Sequence, residues 1–226
     1  MAVTIDDITS SILDDAEDFH YRLFSNLPQK NLILKLFAAT IRQTQDYYDP
    51  IITRFMVSSY LGFLNMCLLE ACKEYENMPT KKGGERWAYY FCDKEGICEA
   101  YAYFCFPKAT CPDISVFLQA IPDMTIAINY INDLFSFCKE ELAELEKNYV
   151  HIRARYDRKE VTDVMHDMSA ETIACYQRAL VLFSTGRLRM RKHGLGTSMA
   201  TLPCTKSLLG TGFMRLVWDC DYVYDG

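Results

Sequence analysis

Apolar side chains recur every three to four positions along most of this chain, and this period constrains the fold more than any other feature. It is the spacing of one face of an α-helix. The pattern predicts helices over residues 3–24, 29–48, 51–77, 114–121, 123–147 and 160–184, with one or two more over 86–106 that break near Asp93 to Gly96. Residues 123–147 alone span roughly 37 Å at 1.5 Å per residue. We therefore expect an all-α fold, an α-helical barrel or bundle.

The composition of the 226 residues predicts one domain, 1–226, with a sizeable core. Half of the residues are hydrophobic, whereas 10 Gly and 7 Pro are too few for a turn-rich β protein. The 24 basic and 30 acidic side chains leave a net charge of −6, which argues against a nucleic-acid partner. No apolar run reaches the ~18 residues of a membrane span, so we expect no span.

The amino terminus and the cysteines both predict a cytoplasmic protein. Residues 1–7 lack the basic segment that begins a signal peptide. The 10 cysteines include no C-x-x-C pair, and several lie in apolar helical segments, where cysteine acts as a small hydrophobe. We therefore expect reduced thiols and no zinc site.

Several connections between the predicted helices are marked by turn or capping residues. Asp49-Pro50 separates two helices, and the Lys/Gly-rich residues 78–85 predict a surface loop. Asp113 is a candidate N-cap for the helix that follows it. The basic residues 148–157 predict a solvated loop, or a segment that covers the mouth of a pocket.

The predicted helix 123–147 carries Asn132, Ser136 and Glu140 at the spacing i, i+4, i+8. On an α-helix these three side chains share nearly one face, with a rise of roughly 6 Å from each to the next. An amide oxygen, a hydroxyl and a carboxylate form an all-oxygen set of the kind that Mg²⁺ accepts. The alternative is a solvated polar stripe, which the same spacing also produces.

A second polar cluster, Asp14, Asp15 and Asp18, lies far upstream in the predicted helix 3–24. Like charges at i, i+4 destabilise a helix unless they are neutralised. A bound cation would neutralise them. An exposed acidic first turn, stabilised by the helix dipole, would also tolerate them.

Taken together, the two clusters resemble the metal-binding signatures of class I terpene synthases. Residues 14–18 resemble the aspartate-rich DDxxD motif, and residues 132–140, with the sequence NDLFSFCKE, resemble the NSE motif. The residues that follow, up to Val150, resemble the fungal trichodiene-synthase-like branch of sesquiterpene cyclases. The resemblance extends over residues 12–183, whereas residues 186–226 are atypical.

The resemblance implies an α-helical fold of the class I terpenoid synthase type, in a short or truncated member that is incomplete at both ends. It implies that Asp14, Asp15 and Asp18 hold several Mg²⁺ ions from one side, and that the set on helix 123–147 holds them from the other side. It implies Lys139 as a contact to the diphosphate. The implied reaction is ionisation and cyclisation of a prenyl diphosphate, farnesyl diphosphate by family branch, to a sesquiterpene. A homodimer is also a candidate state.

The chain departs from the family pattern at two places. Phe63 occupies the position expected for a diphosphate-sensing arginine, so either this branch dispenses with the sensor, Arg54 substitutes for it, or diphosphate binding is impaired. Near the carboxyl end, Tyr224 matches the tyrosine of an expected Arg-Tyr pair, but no arginine precedes it. The basic run over residues 187–192 is an alternative source of diphosphate contacts.

Two other functions are therefore kept open beside the cyclase. The first is a degenerate member that retains the motif without the chemistry, and the departures at Phe63 and at both ends of the chain favour it. The second is an enzyme that traps the prenyl cation with a second substrate. The aromatic side chains of residues 86–106 have two interpretations as well, as ordinary core or as faces that stabilise carbocations.

Overall fold

The computed structural model of the chain describes residue 5 and residues 8–76, 78–79, 81–142 and 148–192, and for residues 76, 140 and 185–192 it describes the backbone alone. All regular secondary structure in these ranges is helical. The prediction of an all-α fold is confirmed.

Ten α-helices and three short 3-10 helices occur among the described residues. The α-helices are α1 (Leu13–Glu17), α2 (Phe19–Phe24), α3 (Leu32–Tyr47), α4 (Pro50–Glu70), α5 (Lys73–Glu76), α6 (Glu85–Glu95), α7 (Cys98–Phe104), α8 (Ile121–Leu142), α9 (Tyr149–Asp157) and α10 (Val161–Lys192). The 3-10 helices are Thr9–Ser11, Ile114–Val116 and Leu118–Ala120.

Side-chain caps explain where several helices begin. The Asn31 side chain accepts a hydrogen bond from the Ile33 amide at the start of α3, and Asp49 does the same before α4, where Pro50 is the first helical residue. Asn148 caps α9 in the same way. Asp113 is a cap as predicted, but it caps a 3-10 turn, because residues 114–120 form two 3-10 helices instead of one α-helix.

The single helix predicted over residues 3–24 is wrong for the described part of that range. A 3-10 turn, α1 and α2 follow one another there, and α1 meets α2 at Asp18. The Thr9 hydroxyl donates to the Ile5 carbonyl at 2.6 Å, and Ser11 donates to the Ile8 carbonyl. Such local side-chain bonds compete with a regular helix, so the apolar period alone overestimated its length.

The loop predicted over residues 148–157 is also wrong, because most of the segment forms α9. Its apolar face is narrow, and only Tyr149, Val150 and Ala154 are buried in it. A helix of this kind is stabilised by tertiary packing and shows little periodicity in its sequence. The helix predicted over 51–77 is too long, because α4 ends at Glu70 and the separate helix α5 begins at Lys73. Other predicted breaks and long helices agree with the structure. A break follows Glu95, α8 covers the described part of residues 123–147, and α10 covers 161–192, including the predicted helix that ended at 184.

Two clusters of buried side chains form the interior. The large cluster contains residues of α1, α2, α3, α4 and α7, of the start of α8 and of the end of α10. Its largest members include Phe19, Phe37, Leu64, Phe106 and Phe183. The small cluster joins α6, the middle of α8, α9 and the start of α10 through Ala88, Cys92, Tyr130, Tyr149, Val150, Ala154, Val164 and Met168. The acidic helix α1 thus packs into the large cluster, whereas Leu134 and Phe137, beside the candidate ligands on α8, pack against the small one.

Two stretches, Pro50–Glu70 and Ile114–Lys139, are long and apolar enough to cross a membrane by length and composition alone. In each, 44% of the most apolar window is buried inside the protein. Core helices meet the same criterion, so this is weak evidence for a span. The absence of a membrane span stays a prediction.

Candidate metal and diphosphate site

Helix α8 presents the predicted ligands at its carboxyl-terminal end. Asn132 and Lys139 are exposed, and Ser136 is half-buried, one turn from Asn132. The backbone of Glu140 belongs to the same helix, and its side chain lies outside the described part of the structure. An accessible amide and a partly accessible hydroxyl therefore stand one above the other on this face.

Asp133, next to Asn132, is turned towards α6. The buried thiol of Cys92 donates a hydrogen bond to Asp133 Oδ2 at 3.2 Å. Desolvation, and after it the negative charge of Asp133, raises the pKa of the Cys92 thiol well above its usual range. The thiol is therefore protonated at neutral pH and acts as a donor that anchors Asp133.

Asn148 joins the start of α9 to the motif on α8. Its Nδ2 donates to the backbone carbonyl of Asp133 at 3.2 Å and to Ser136 Oγ at 3.4 Å. Its Oδ1 accepts from the Val150 amide at 2.8 Å. Ser136 Oγ in turn donates to the Asp133 carbonyl at 3.4 Å. The hydroxyl of a predicted ligand is thus oriented by a residue outside the motif.

The acidic cluster on α1 has a basic partner within the chain. Lys30 Nζ lies 2.7 Å from Asp18 Oδ2 and 3.8 Å from Asp15 Oδ1, and Arg22 Nε lies 3.6 Å from Asp18 Oδ2. Its hydrogen bond to Lys30 is the main reason that the pKa of Asp18 is lowered. Asp14 is exposed. The charge that a bound cation would neutralise is therefore already balanced at two of the three aspartates.

The two halves of the predicted site have different neighbours. Helix α1 packs on α4, whereas α8 packs on α6, α7, α9 and α10. Among the described side chains, no hydrogen bond or ion pair joins residues 14–18 to residues 132–139. That part of the chain also contains no group of three or more His, Cys, Asp or Glu side chains arranged to hold a metal ion.

The two halves also differ in how well they fit Mg²⁺. The oxygen donors on α8 suit a hard cation, and Asn132 is open to solvent. The carboxylates of Asp15 and Asp18 suit it chemically, but a cation there must displace the ammonium group of Lys30. The α8 half can therefore accept Mg²⁺ in its present arrangement, whereas the α1 half can accept it only after Mg²⁺ has replaced Lys30 as the partner of Asp15 and Asp18.

Of the predicted diphosphate contacts, Lys139 and Arg54 lie on different helices, α8 and α4. Arg54 is exposed on α4. Phe63, where an arginine was expected, is buried in the large cluster with its ring 6.3 Å from that of Phe37. A charged group at that position would face apolar core. Tyr224 lies outside the described residues, as do the side chains of the basic run 187–192.

Three residues near these clusters were missed by the sequence analysis, namely Lys30, Cys92 and Asn148. Lys30 is the first base after Pro28, and a basic residue shortly after an acidic cluster is a usable signal. Asn148 before an apolar pair is an N-cap signal that the sequence analysis did not use, since it interpreted residues 148–157 as a loop. The Cys92 contact has no local signal, since 41 positions separate it from Asp133.

A family model described as "Trichodiene synthase (TRI5)" matches residues 1–192 of the chain. This match covers the whole described region, from the acidic cluster through α8 to the end of α10. The chain therefore belongs to the trichodiene synthase family, a family of terpene synthases, which confirms the resemblance inferred from the two motifs.

Several curated fungal proteins are similar to the chain over most of its length. Terpene synthase BipA from Cochliobolus sativus is 37% identical over 185 residues, which are 82% of this chain and 57% of that protein. Longiborneol synthase CLM1 from Gibberella zeae is 32% identical over 207 residues, 84% of this chain and 61% of that protein. An (E)-beta farnesene synthase from Metarhizium brunneum is 28% identical over 181 residues, 78% of this chain and 54% of that protein. The chain thus spans less than two thirds of the length of these relatives.

Proposed function

We propose that the chain performs the Mg²⁺-dependent ionisation and cyclisation of a prenyl diphosphate, with release of diphosphate. The observation that carries the proposal is the oxygen-bearing face of α8, where Asn132 is accessible and Ser136 is held in a defined orientation. Membership of the trichodiene synthase family supports it. We infer farnesyl diphosphate as the substrate from the trichodiene synthase family branch, and the farnesene synthase among the relatives supports this choice.

The residues of α8 have separate roles in this proposal. Asn132, Ser136 and Glu140 hold Mg²⁺ through oxygen atoms, and the exposed ammonium group of Lys139 contacts a phosphate oxygen. Bound divalent cations neutralise charge on the leaving diphosphate and so make C–O ionisation feasible. Asp14, Asp15 and Asp18 serve as the opposite ligands if Lys30 is displaced. Arg54 and Tyr224 are secondary candidates for contacting the diphosphate.

The proposal also needs an apolar chamber that keeps water from the allyl cation. Among the aromatic side chains of α6, α7 and the residues just after them, Phe91, Tyr103 and Phe106 are buried, whereas Tyr90, Tyr101 and Phe104 are exposed. The rings of Tyr75 and Phe91 stack at 4.8 Å. These rings are candidates for stabilising positive charge on the substrate, since the face of an aromatic ring attracts cations.

A second candidate function is binding of a prenyl diphosphate without turnover. Two observations favour it: Phe63 occupies a core position where the family pattern has a sensing arginine, and Lys30 holds Asp15 and Asp18. Coupling of the prenyl cation to a second substrate is a further variant of the main proposal, and it differs only in its product.

The test is incubation of the purified chain with farnesyl diphosphate and Mg²⁺, with diphosphate release measured in solution and volatile products identified by mass spectrometry. We expect release of diphosphate and a cyclic sesquiterpene. Asn132→Ala and Glu140→Ala should each abolish release while the helical circular dichroism is unchanged. Asn65→Ala, at an exposed position on α4, is the matched control and should retain full release.

The outcomes separate the candidates. Full turnover by Asn132→Ala or Glu140→Ala refutes the metal assignment. An absence of turnover, combined with Mg²⁺-dependent thermal stabilisation by an unreactive prenyl diphosphate analogue, identifies the binding function. Turnover only when a second nucleophile is added identifies coupling. If neither turnover nor stabilisation is observed, both the cyclase and the binding proposal fail.

The same proposal places the protein in the cytoplasm, as a single-domain protein that acts alone or as a homodimer. In support, the eight cysteines of the described region are not joined in disulfide bonds, which is the usual state in a reducing compartment. Size-exclusion chromatography with light scattering distinguishes the two oligomeric states.

A further inference from the structure

The side chain of Asn148 makes hydrogen bonds to two helices: it accepts one from the backbone of α9 and donates two to α8. Its Oδ1 caps α9 by accepting from the Val150 amide. Its Nδ2 reaches across to α8 and donates to the Asp133 carbonyl and to Ser136 Oγ. The residue is only 6% exposed, so water does not readily replace these bonds.

This arrangement defines the orientation of the Ser136 hydroxyl. A serine hydroxyl has one hydrogen to donate and two lone pairs to accept with. The Ser136 hydroxyl donates to the Asp133 carbonyl and accepts from Asn148, each over a long contact of 3.4 Å. A single lone pair is therefore left for a ligand, and its direction is set by the other two bonds.

We propose that Asn148 is a positioning residue that orients Ser136 for Mg²⁺ and couples α9 to the metal-binding face of α8. The proposal rests on the proposed function, because Asn148 can have this role only if Ser136 binds Mg²⁺. Partners that orient metal ligands typically change metal affinity by about 10- to 100-fold when they are removed. Asn148 is expected to act in this range through Ser136 and to make no contact with the ion itself.

The capping role and the positioning role can be separated by substitution. Serine is about as good an N-cap as asparagine, so Asn148→Ser retains the cap of α9. Its side chain is too short to reach Ser136 from the same backbone position. Asn31→Ser is the matched control, because Asn31 caps α3 through the same bond to the amide two residues ahead.

The measurement is calorimetric titration of Mg²⁺ in the presence of inorganic diphosphate, which requires no turnover. Asn148→Ser should weaken the Mg²⁺ response about tenfold or more, within the range for such partners. Asn31→Ser should bind as the unsubstituted chain does. In a Ser136→Ala background, Asn148→Ser should cause no further loss, since the two residues then act on one interaction. Asn148→Thr, which fills more of the buried volume, replaces Asn148→Ser if that variant does not fold.

The outcomes show whether Asn148 has the positioning role and whether the proposed function stands. Equal Mg²⁺ affinity of the unsubstituted chain and Asn148→Ser overturns the positioning role and leaves the proposed function standing. An equally large loss in the Ser136→Ala background overturns it too, because Asn148 then acts by another route. If the unsubstituted chain gives no response to Mg²⁺ and diphosphate, the proposed function fails and the inference fails with it.

Discussion

Lys30 Nζ lies 2.7 Å from Asp18 Oδ2, so the acidic cluster resembling a metal-binding motif carries its own counter-ion. The same ammonium group reaches Asp15 at 3.8 Å. Two interpretations of the cluster follow, since Lys30 either occupies the place of a displaceable Mg²⁺ ion or is a permanent partner in a structural ion pair.

Replacing Lys30 distinguishes these interpretations. If Asp15 and Asp18 are metal ligands, Lys30→Met removes a competing cation, and Mg²⁺ affinity measured by calorimetry with inorganic diphosphate should rise severalfold. We expect this increase under the proposed function. Lys35→Met, at an exposed position on α3, is the control and should leave the affinity unchanged. Unchanged affinity in Lys30→Met would assign the cluster a structural role.

The same ion pair predicts a pH dependence of stability. Lys30 lowers the folded-state pKa of Asp18, so the pair stabilises the fold above the unfolded-state pKa of about 3.9. That stabilisation is lost as the pH falls through the lower, folded-state value. Chemical unfolding of the chain and of Lys30→Met should therefore differ most near neutral pH and converge in acid. Because the groups are exposed, the difference should be small and should shrink at high salt. A difference that persists below pH 2 contradicts the assignment.

The break between α6 and α7 depends on a close approach of backbone to side chain. A Cβ added to Gly96 would lie 2.4 Å from Asn129 Oδ1 and 3.1 Å from the Cys92 carbonyl oxygen. Asn129 is only 2% exposed and has little room to move. Gly96→Ala should therefore destabilise the protein by about 1–3 kcal/mol, as overpacked cores do.

Gly62→Ala is the matched control for that substitution. Gly62 lies within α4, and a Cβ there would meet only the flexible Lys94 side chain at 3.7 Å. Alanine favours a helix over glycine by up to about 1 kcal/mol, so Gly62→Ala should stabilise the protein. Urea unfolding followed by circular dichroism measures both variants. Equal effects at the two positions would disprove the close approach at Gly96.

The thiols should differ sharply in reactivity. Cys92 is buried, its pKa is raised, and it donates to Asp133, so its thiolate is scarce and inaccessible. Cys72 and Cys138 are exposed. Labelling of the native protein at pH 8 with a thiol alkylating reagent, mapped by peptide mass spectrometry, should modify Cys72 and Cys138 well before Cys92. Early labelling of Cys92 would contradict the anchoring of Asp133.

The local features of the site could be predicted from the sequence. The spacing of Asn132 and Ser136 places them on one face whenever residues 121–142 form a helix, and the strong apolar period of that segment makes it helical. The family followed from the same motif. The interpretation of residues 148–157 as a loop failed because the burial of Val150 and Ala154 in α9 depends on α6 and α10 being packed beside it.

The sequence by itself determined the all-α class, the breaks at Asp49-Pro50 and near Asp93 to Gly96, the cap at Asp113 and the family of the chain, because each of these is encoded by residues close together in the sequence. Only the tertiary structure decided that Lys30 neutralises Asp18, that Cys92 anchors Asp133 and that Asn148 orients Ser136. These contacts join residues 12 to 41 positions apart. They depend on how helices pack in the two core clusters, and a hydrophobic period within one helix does not specify that packing.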